Sequence, residues 1–219
     1  MRGLFGSTVG AFEGEFGLPG LATHSVSRVA AQRLRRRHAG LRPAKVPATD
    51  RLFFAILPDE ETAAGIHERA ERWRREHGLT GRLLRPEQFH VTLHVAEENP
   101  GVSLPGMIEL LAERASTLAM PAFRVDFDRV LSFRNGAFVL SGDETTVGLQ
   151  VLHQRLGDAL DPTPRLARRF TPHLTLLRDG KHIAEHDVER IGWTAREVVL
   201  VHGLIGQTTH RHVARIPLG

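Results

Sequence analysis

Two tetrapeptides of one pattern set the strongest limit on how this chain can fold. His90-Val91-Thr92-Leu93 and His173-Leu174-Thr175-Leu176 both read His-x-Thr-apolar and lie 83 positions apart. Residues two apart in a strand point to the same face. Each copy therefore aims one imidazole and one hydroxyl the same way, while Val91 and Leu93, or Leu174 and Leu176, pack behind. The fold must supply two half-buried strands of like polarity. Both follow a Phe-containing lead-in, Gln88-Phe89 in one case and Phe170-Thr171-Pro172 in the other. Two such pairs facing one cleft provide two groups that titrate near neutral pH and two neutral hydroxyl donors. That is equipment for acid–base chemistry on a phosphate.

Composition narrows the alternatives. With no Cys among 219 residues, disulfides, thiolate zinc sites and a cysteine nucleophile are excluded. No run approaches the roughly 18 apolar residues of a membrane span. The first twenty residues, broken by six Gly and two Glu, do not read as a secretory signal. A cytoplasmic protein without a membrane partner is expected. The net charge of +4 is unevenly spread: residues 1–49 carry eight Lys/Arg against Glu13 and Glu15, a net of +6, so the other 170 residues sum to −2. Basicity belongs to the leader and does not by itself make the body a nucleic-acid binder. Residues 1–49 read as a basic, disordered leader, in competition with an RNA- or membrane-surface arm and a targeting peptide. The domain proper is placed at 50–219.

From Arg51 the texture is that of a mixed fold. Leu52 to Leu57 reads as a buried strand ended by Pro58, and Asp59 as the cap of a helix carrying Ile66, Ala70 and Trp73 on one side. Arg85-Pro86-Glu87 turns into a motif strand from Phe89 to Val95, followed by a loop to Pro105 and a helix from Gly106 to Thr117. Phe123 to Phe127 alternates as a strand. Val130 to Phe133 and Ala137 to Leu140 form a hairpin about Asn135-Gly136. A helix from Val147 to Leu160, the second motif strand from Phe170 to Leu177, and strands Arg196 to Ile205 and Val213 to Ile216 complete the chain. The pattern is α+β, with one motif in each half.

These residues resemble the 2H phosphoesterase superfamily, and within it the 2′-5′ RNA ligase-like group of RNA 2′,3′-cyclic phosphodiesterases. The resemblance covers roughly residues 51–218. It rests on Arg51 to Pro58, Phe89 to Leu93, the hairpin Val130 to Leu140, and Thr171 to Arg178, with His210 to Leu218 similar to the group's closing segment. It implies a bilobal, pseudo-two-fold architecture: two antiparallel sheets flanked by helices around a central cleft, with the motif strands central. It also implies catalysis without metal or cofactor, on RNA or a nucleotide ending in a 2′,3′-cyclic phosphate. Two segments depart from the group. His94-Val95-Ala96-Glu97 replaces a run commonly Ala-Phe-Leu-Gly, and His210 and Ile216 stand where Tyr and Trp are frequent.

Opening a cyclic phosphodiester with water needs a base for the water and an acid for the departing ribose oxygen, and imidazole can serve as either. The resemblance implies His173 as base and His90 as acid; the residues alone leave the roles exchangeable. Thr92 and Thr175 are the expected donors to the non-bridging oxygens, and Arg178 a guanidinium within reach of the same phosphate. Phe54 and Phe170 are candidate base-stacking or cleft-wall residues, set against a plain core role. His210-x-His212 has no carboxylate cluster beside it, so no metal site is expected. The expected protein is a monomeric RNA 2′,3′-cyclic phosphodiesterase. The alternatives are an RNA-end-holding module without turnover, or a phosphodiesterase for a small cyclic phosphate unrelated to RNA.

Overall fold

The computed structural model describes residues 50–98, 104–142, 146–161, 170–204 and 209–219. The reading of 1–49 as a leader lies outside the described residues. Eight strands form one sheet: β1 (Asp50–Ile56), β2 (Val91–Glu98), β3 (Phe123–Ser132), β4 (Ala137–Ser141), β5 (His173–Arg178), β6 (His186–Ala195), β7 (Glu197–Leu204) and β8 (Thr209–Pro217). Their order is β6-β3-β4-β5-β2-β1-β7-β8, and the paired neighbours run antiparallel. Three α-helices accompany them among the described residues: α1 (Glu60–Glu76), α2 (Leu104–Ser116) and α3 (Val147–Leu160). The fold is α+β, as the alternating texture predicted. None of these helices is long and apolar enough to cross a membrane.

The motif strands are central, and each has three strands on its outer side. Instead of two separate sheets, the two four-stranded halves are joined through one residue pair, Val91 opposite Leu174. Past that seam β5 pairs elsewhere. Leu83 bridges Leu177, and Leu84 N donates to Leu176 O at 2.8 Å. The seam stays short because the segment leading to β2 takes over the edge of β5.

Alternation splits the packing between two faces. Leu52, Phe54 and Ile56 of β1 and Val198 and Leu200 of β7 join the main core with Ile66, Ala70 and Trp73 of α1 and Leu149, Leu152 and Leu156 of α3. Phe53 and Ala55, with Val199 and Val201, form a small separate cluster on the face turned away from the helices. Asp59 caps α1, its Oδ1 accepting from Thr62 N at 2.8 Å, with Glu60 and Glu61 in the first turn and Arg74 and Arg75 in the last. Such a cap is worth about 1 kcal/mol.

Three elements differ from the sequence reading. Phe123 to Ser132 is one bent strand, with a register shift between Phe127 and Arg129 where two pieces were expected. β2 runs to Glu98, into the expected loop. β6 was not anticipated. As an edge strand it is largely exposed along its first five residues, so it lacks the apolar run that marks a buried strand. The Asn135-Gly136 hairpin forms as expected, Gly136 taking φ 80, a conformation that L side chains rarely adopt.

Candidate active site at the seam

The pairing of Val91 with Leu174 fixes how the two motifs meet. Carried one residue each way in an antiparallel register, it sets His90 across from Thr175 and Thr92 across from His173. All four side chains leave the same face, because residues directly opposite one another point together. That face is the one away from the helices: Thr92 pairs with Ala55 of the small cluster, and Val91, Leu93, Leu174 and Leu176 lie in the main core behind. Neither threonine hydroxyl has a hydrogen-bond partner among the described residues. That register interleaves the two imidazole–hydroxyl pairs, each histidine set across from the other motif's threonine.

Backbone oxygens orient both rings in the same manner. His90 Nδ1–H donates to Gln88 O at 2.7 Å, and His173 Nδ1–H donates to Thr171 O at 2.8 Å, each carbonyl two residues upstream. A hydrogen bond at one ring nitrogen sets the tautomer and leaves the other for chemistry. Here Nε2 is the free atom in both. Ser141, opposite His173 in the β4–β5 ladder, donates its hydroxyl to Pro172 O at 3.0 Å and steadies that lead-in.

The surroundings of the rings differ. His90 sits against Phe53 (centroids 5.2 Å) and edge-on to His210 (5.1 Å), and those two rings lie 5.7 Å apart. Loss of water contact pushes His90 down to about 4; the Gln88 carbonyl opposes this, while His210, His173 and Arg51 add repulsion. His90 is therefore neutral at neutral pH. His173 has one aromatic neighbour among the described residues, Phe133, edge-on at 4.8 Å.

A carboxylate holds the approach to the first motif. Asp179 Oδ2 accepts from Thr80 N and Gly81 N, both at 2.7 Å, and Oδ1 from Lys181 N at 2.8 Å. These backbone donors hold its carboxyl at about 2. The clamp fastens the segment running toward Gln88 and His90 to the end of the strand that carries His173.

The remaining sequence-predicted residues divide. Arg178 is exposed, donates to Asn135 O over 3.4 Å, and lines with Thr175, Arg82 and Gln88 a cavity of about 250 Å³. Phe54 does not line the cleft: it is fully buried in the helix-side core, and its neighbour Phe53 is the ring at the site. In an apolar run buried on both faces, parity cannot be read from sequence. Phe170 stacks on His153 of α3 (4.2 Å, 12°), which stacks on His94 (4.1 Å, 6°). It ends a three-ring column and packs against the main core. A register shift in β2 beside Phe54 and Ala55 lets His94 pair with Phe54 and leave the motif face. Sequence reasoning missed Phe53, Phe133 and the position of His210. A larger cavity of about 1260 Å³, lined by the start of α1, β6 and β8, includes none of the motif residues. Among the described residues no group of three or more His, Cys, Asp or Glu is arranged to hold a metal ion.

Comparison with known proteins identifies the family and the fold. A family model described as the 2′-5′ RNA ligase superfamily matches residues 59–202, and the chain belongs to that superfamily. Among solved structures it is similar to Escherichia coli LigT complexed with NADP+, at 25% identity and TM-score 0.61, covering 77% of this chain and 98% of that one. LigT complexed with 3′-AMP matches at 26% identity and TM-score 0.59, over 77% and 98% of the two chains. The protein TT0787 of Thermus thermophilus, at 22% identity, TM-score 0.59 and coverage of 77% and 97%, shares the fold. No curated protein sequence matches.

Proposed function

We propose that this protein hydrolyses 2′,3′-cyclic phosphodiesters, at RNA ends or on nucleotides, to 2′-phosphates, using the two His-x-Thr pairs and no metal. The carrying observation is the Val91–Leu174 seam, whose register interleaves the two imidazoles and two hydroxyls on one face. In this reaction a water oxygen bonds to phosphorus as the bond from phosphorus to O3′ breaks. One imidazole Nε2 takes the water's proton, and the other gives a proton to O3′. Solvent exchange then resets both rings. Thr92 and Thr175 donate to the non-bridging oxygens, where charge grows, and Arg178 adds a cation at the cavity it shares with Thr175.

Burial supports one allocation of roles. A ring held at about 4 starts neutral, which favours His90 as base and leaves His173 as acid in this proposal, the reverse of the assignment implied by the resemblance. The LigT structures carrying 3′-AMP and ATP support a nucleotide as the class of ligand.

Incubating the protein with a 2′,3′-cyclic nucleotide and identifying the product tests the reading. A 2′-monophosphate is expected, with His90→Ala and His173→Ala each losing about 10²–10⁴ in kcat/KM. A 3′-monophosphate, or undiminished turnover in either variant, overturns it.

A further inference from the structure

The face that carries the motifs continues past His90 into a strip of Arg and His side chains. Arg51 and Phe53 share one side of β1, and Arg51 pairs with Gly203 of β7, which pairs with His210 of β8. His212 pairs with Val201 of the small cluster, and Arg215 with Val199, so both lie on this same face. Along an antiparallel strand, His210 and His212 stand about 7 Å apart. Gly203 makes room for the arrangement. A Cβ there would come within 3.1 Å of the Phe53 ring and 3.5 Å of the His210 ring.

Two donor groups of this strip are uncommitted among the described residues. Among the described residues, neither the Arg51 guanidinium nor the His210 ring has a hydrogen-bond or ion-pair partner. Arg215 pairs with Glu197 and donates Nη2–H to His212 Nδ1 at 3.1 Å, which leaves His212 Nε2–H pointing elsewhere. Burial holds His210 below its ordinary range, and His212 and Arg51 repel its charged form. Burial and Arg215 do the same to His212, with Glu197 opposing. Basic side chains stand side by side here, and Glu197 is already engaged by Arg215, so among the described residues the strip presents donors suited to an anion. The strip is continuous with the proposed active site, because the His210 ring packs against His90.

We propose that Arg51, His210 and His212 form a subsite for the backbone phosphate next to the reacting end of a single-stranded RNA. This rests on the functional reading above and adds to it a preference: chains over mononucleotides. A basic groove that follows the backbone, beside an aromatic ring such as Phe53, is the general chemistry of sequence-tolerant single-strand binding.

The test compares a 2′,3′-cyclic mononucleotide with a trinucleotide ending in the same cyclic phosphate, in wild type and in Arg51→Gln and His212→Gln. Thermal melts check that each variant is folded. Wild type is expected to favour the trinucleotide by about tenfold in kcat/KM, about the worth of one charge-assisted hydrogen bond. Each variant should bring the ratio toward one. An unaltered ratio in both, or none in wild type, overturns the subsite. A second arm needs no turnover: the Kd of a trinucleotide ending in a 2′-phosphate, measured against salt. Loss of the Arg51 contact should flatten the log–log slope by about 0.7, whereas loss of His212, whose charged form burial and Arg215 disfavour, should weaken binding with little change of slope. An unchanged slope in Arg51→Gln overturns the subsite even if the protein hydrolyses nothing; a flattened slope without turnover upholds it while the hydrolytic reading fails.

Discussion

The two halves of the site share one wiring and differ in climate. In each, a histidine gives Nδ1–H to the carbonyl two residues upstream and projects Nε2 on the same face. Around His90, however, Phe53 and His210 close in and its proton affinity drops to about 4, whereas the aromatic neighbour of His173 among the described residues is the edge of Phe133. Local sequence builds the same arrangement twice, and neighbours from distant strands set the surroundings of each copy. A hydrolytic site needs that inequality, since two identical imidazoles cannot be poised as base and acid at one pH.

The comparison breaks most severely at the hydroxyls. Thr92→Val and Thr175→Val keep shape and lose one donor each, and each should lower kcat by about 10²–10³. If only one matters, the phosphate sits against one motif and the interleaved arrangement is wrong. The pH profile sharpens it next. With His90 as base, the acid limb of kcat/KM should fall near pH 4, below the limb near 6.5 of an ordinary imidazole. Nitrogen-15 shifts of the His90 ring give the same midpoint directly, and a value near 6.5 would return the roles to those implied by the resemblance.

The smallest effect is on stability. His90 binds a proton less readily when folded than unfolded, so the unfolded chain gains protons first as pH falls. Stability should therefore decline between about 6.5 and 4 and level off below, by at most about 3 to 4 kcal/mol from this group. Urea melts at pH 7 and 4.5 should show the decline, and His90→Asn should reduce it. An identical decline in that variant would place the titration elsewhere. Asp179 acts at lower pH: its contribution is present above the ordinary carboxylate range and is lost as pH falls toward about 2.

Much of the scaffold was legible. The helix Val147–Leu160 and the Asn135-Gly136 turn follow from periodicity and one dipeptide. The motif strands follow from alternation. β6 did not, because an exposed edge strand carries no buried run. Phe54 was preferred to Phe53 because β1 is apolar on both faces, and parity emerges only from what each face packs against. The unequal environment of His90 was beyond reach for a similar reason. His210 lies 120 positions downstream, and the chain of register pairs that brings it back passes through two other strands.

The partners that orient both rings belong to peptide bonds, and this shapes how the protein can vary. No amino-acid exchange at Gln88 or Thr171 deletes a carbonyl, so tautomer control is insulated from side-chain drift. Only a change in the path of the chain, such as proline-induced distortion or local melting, can disconnect it.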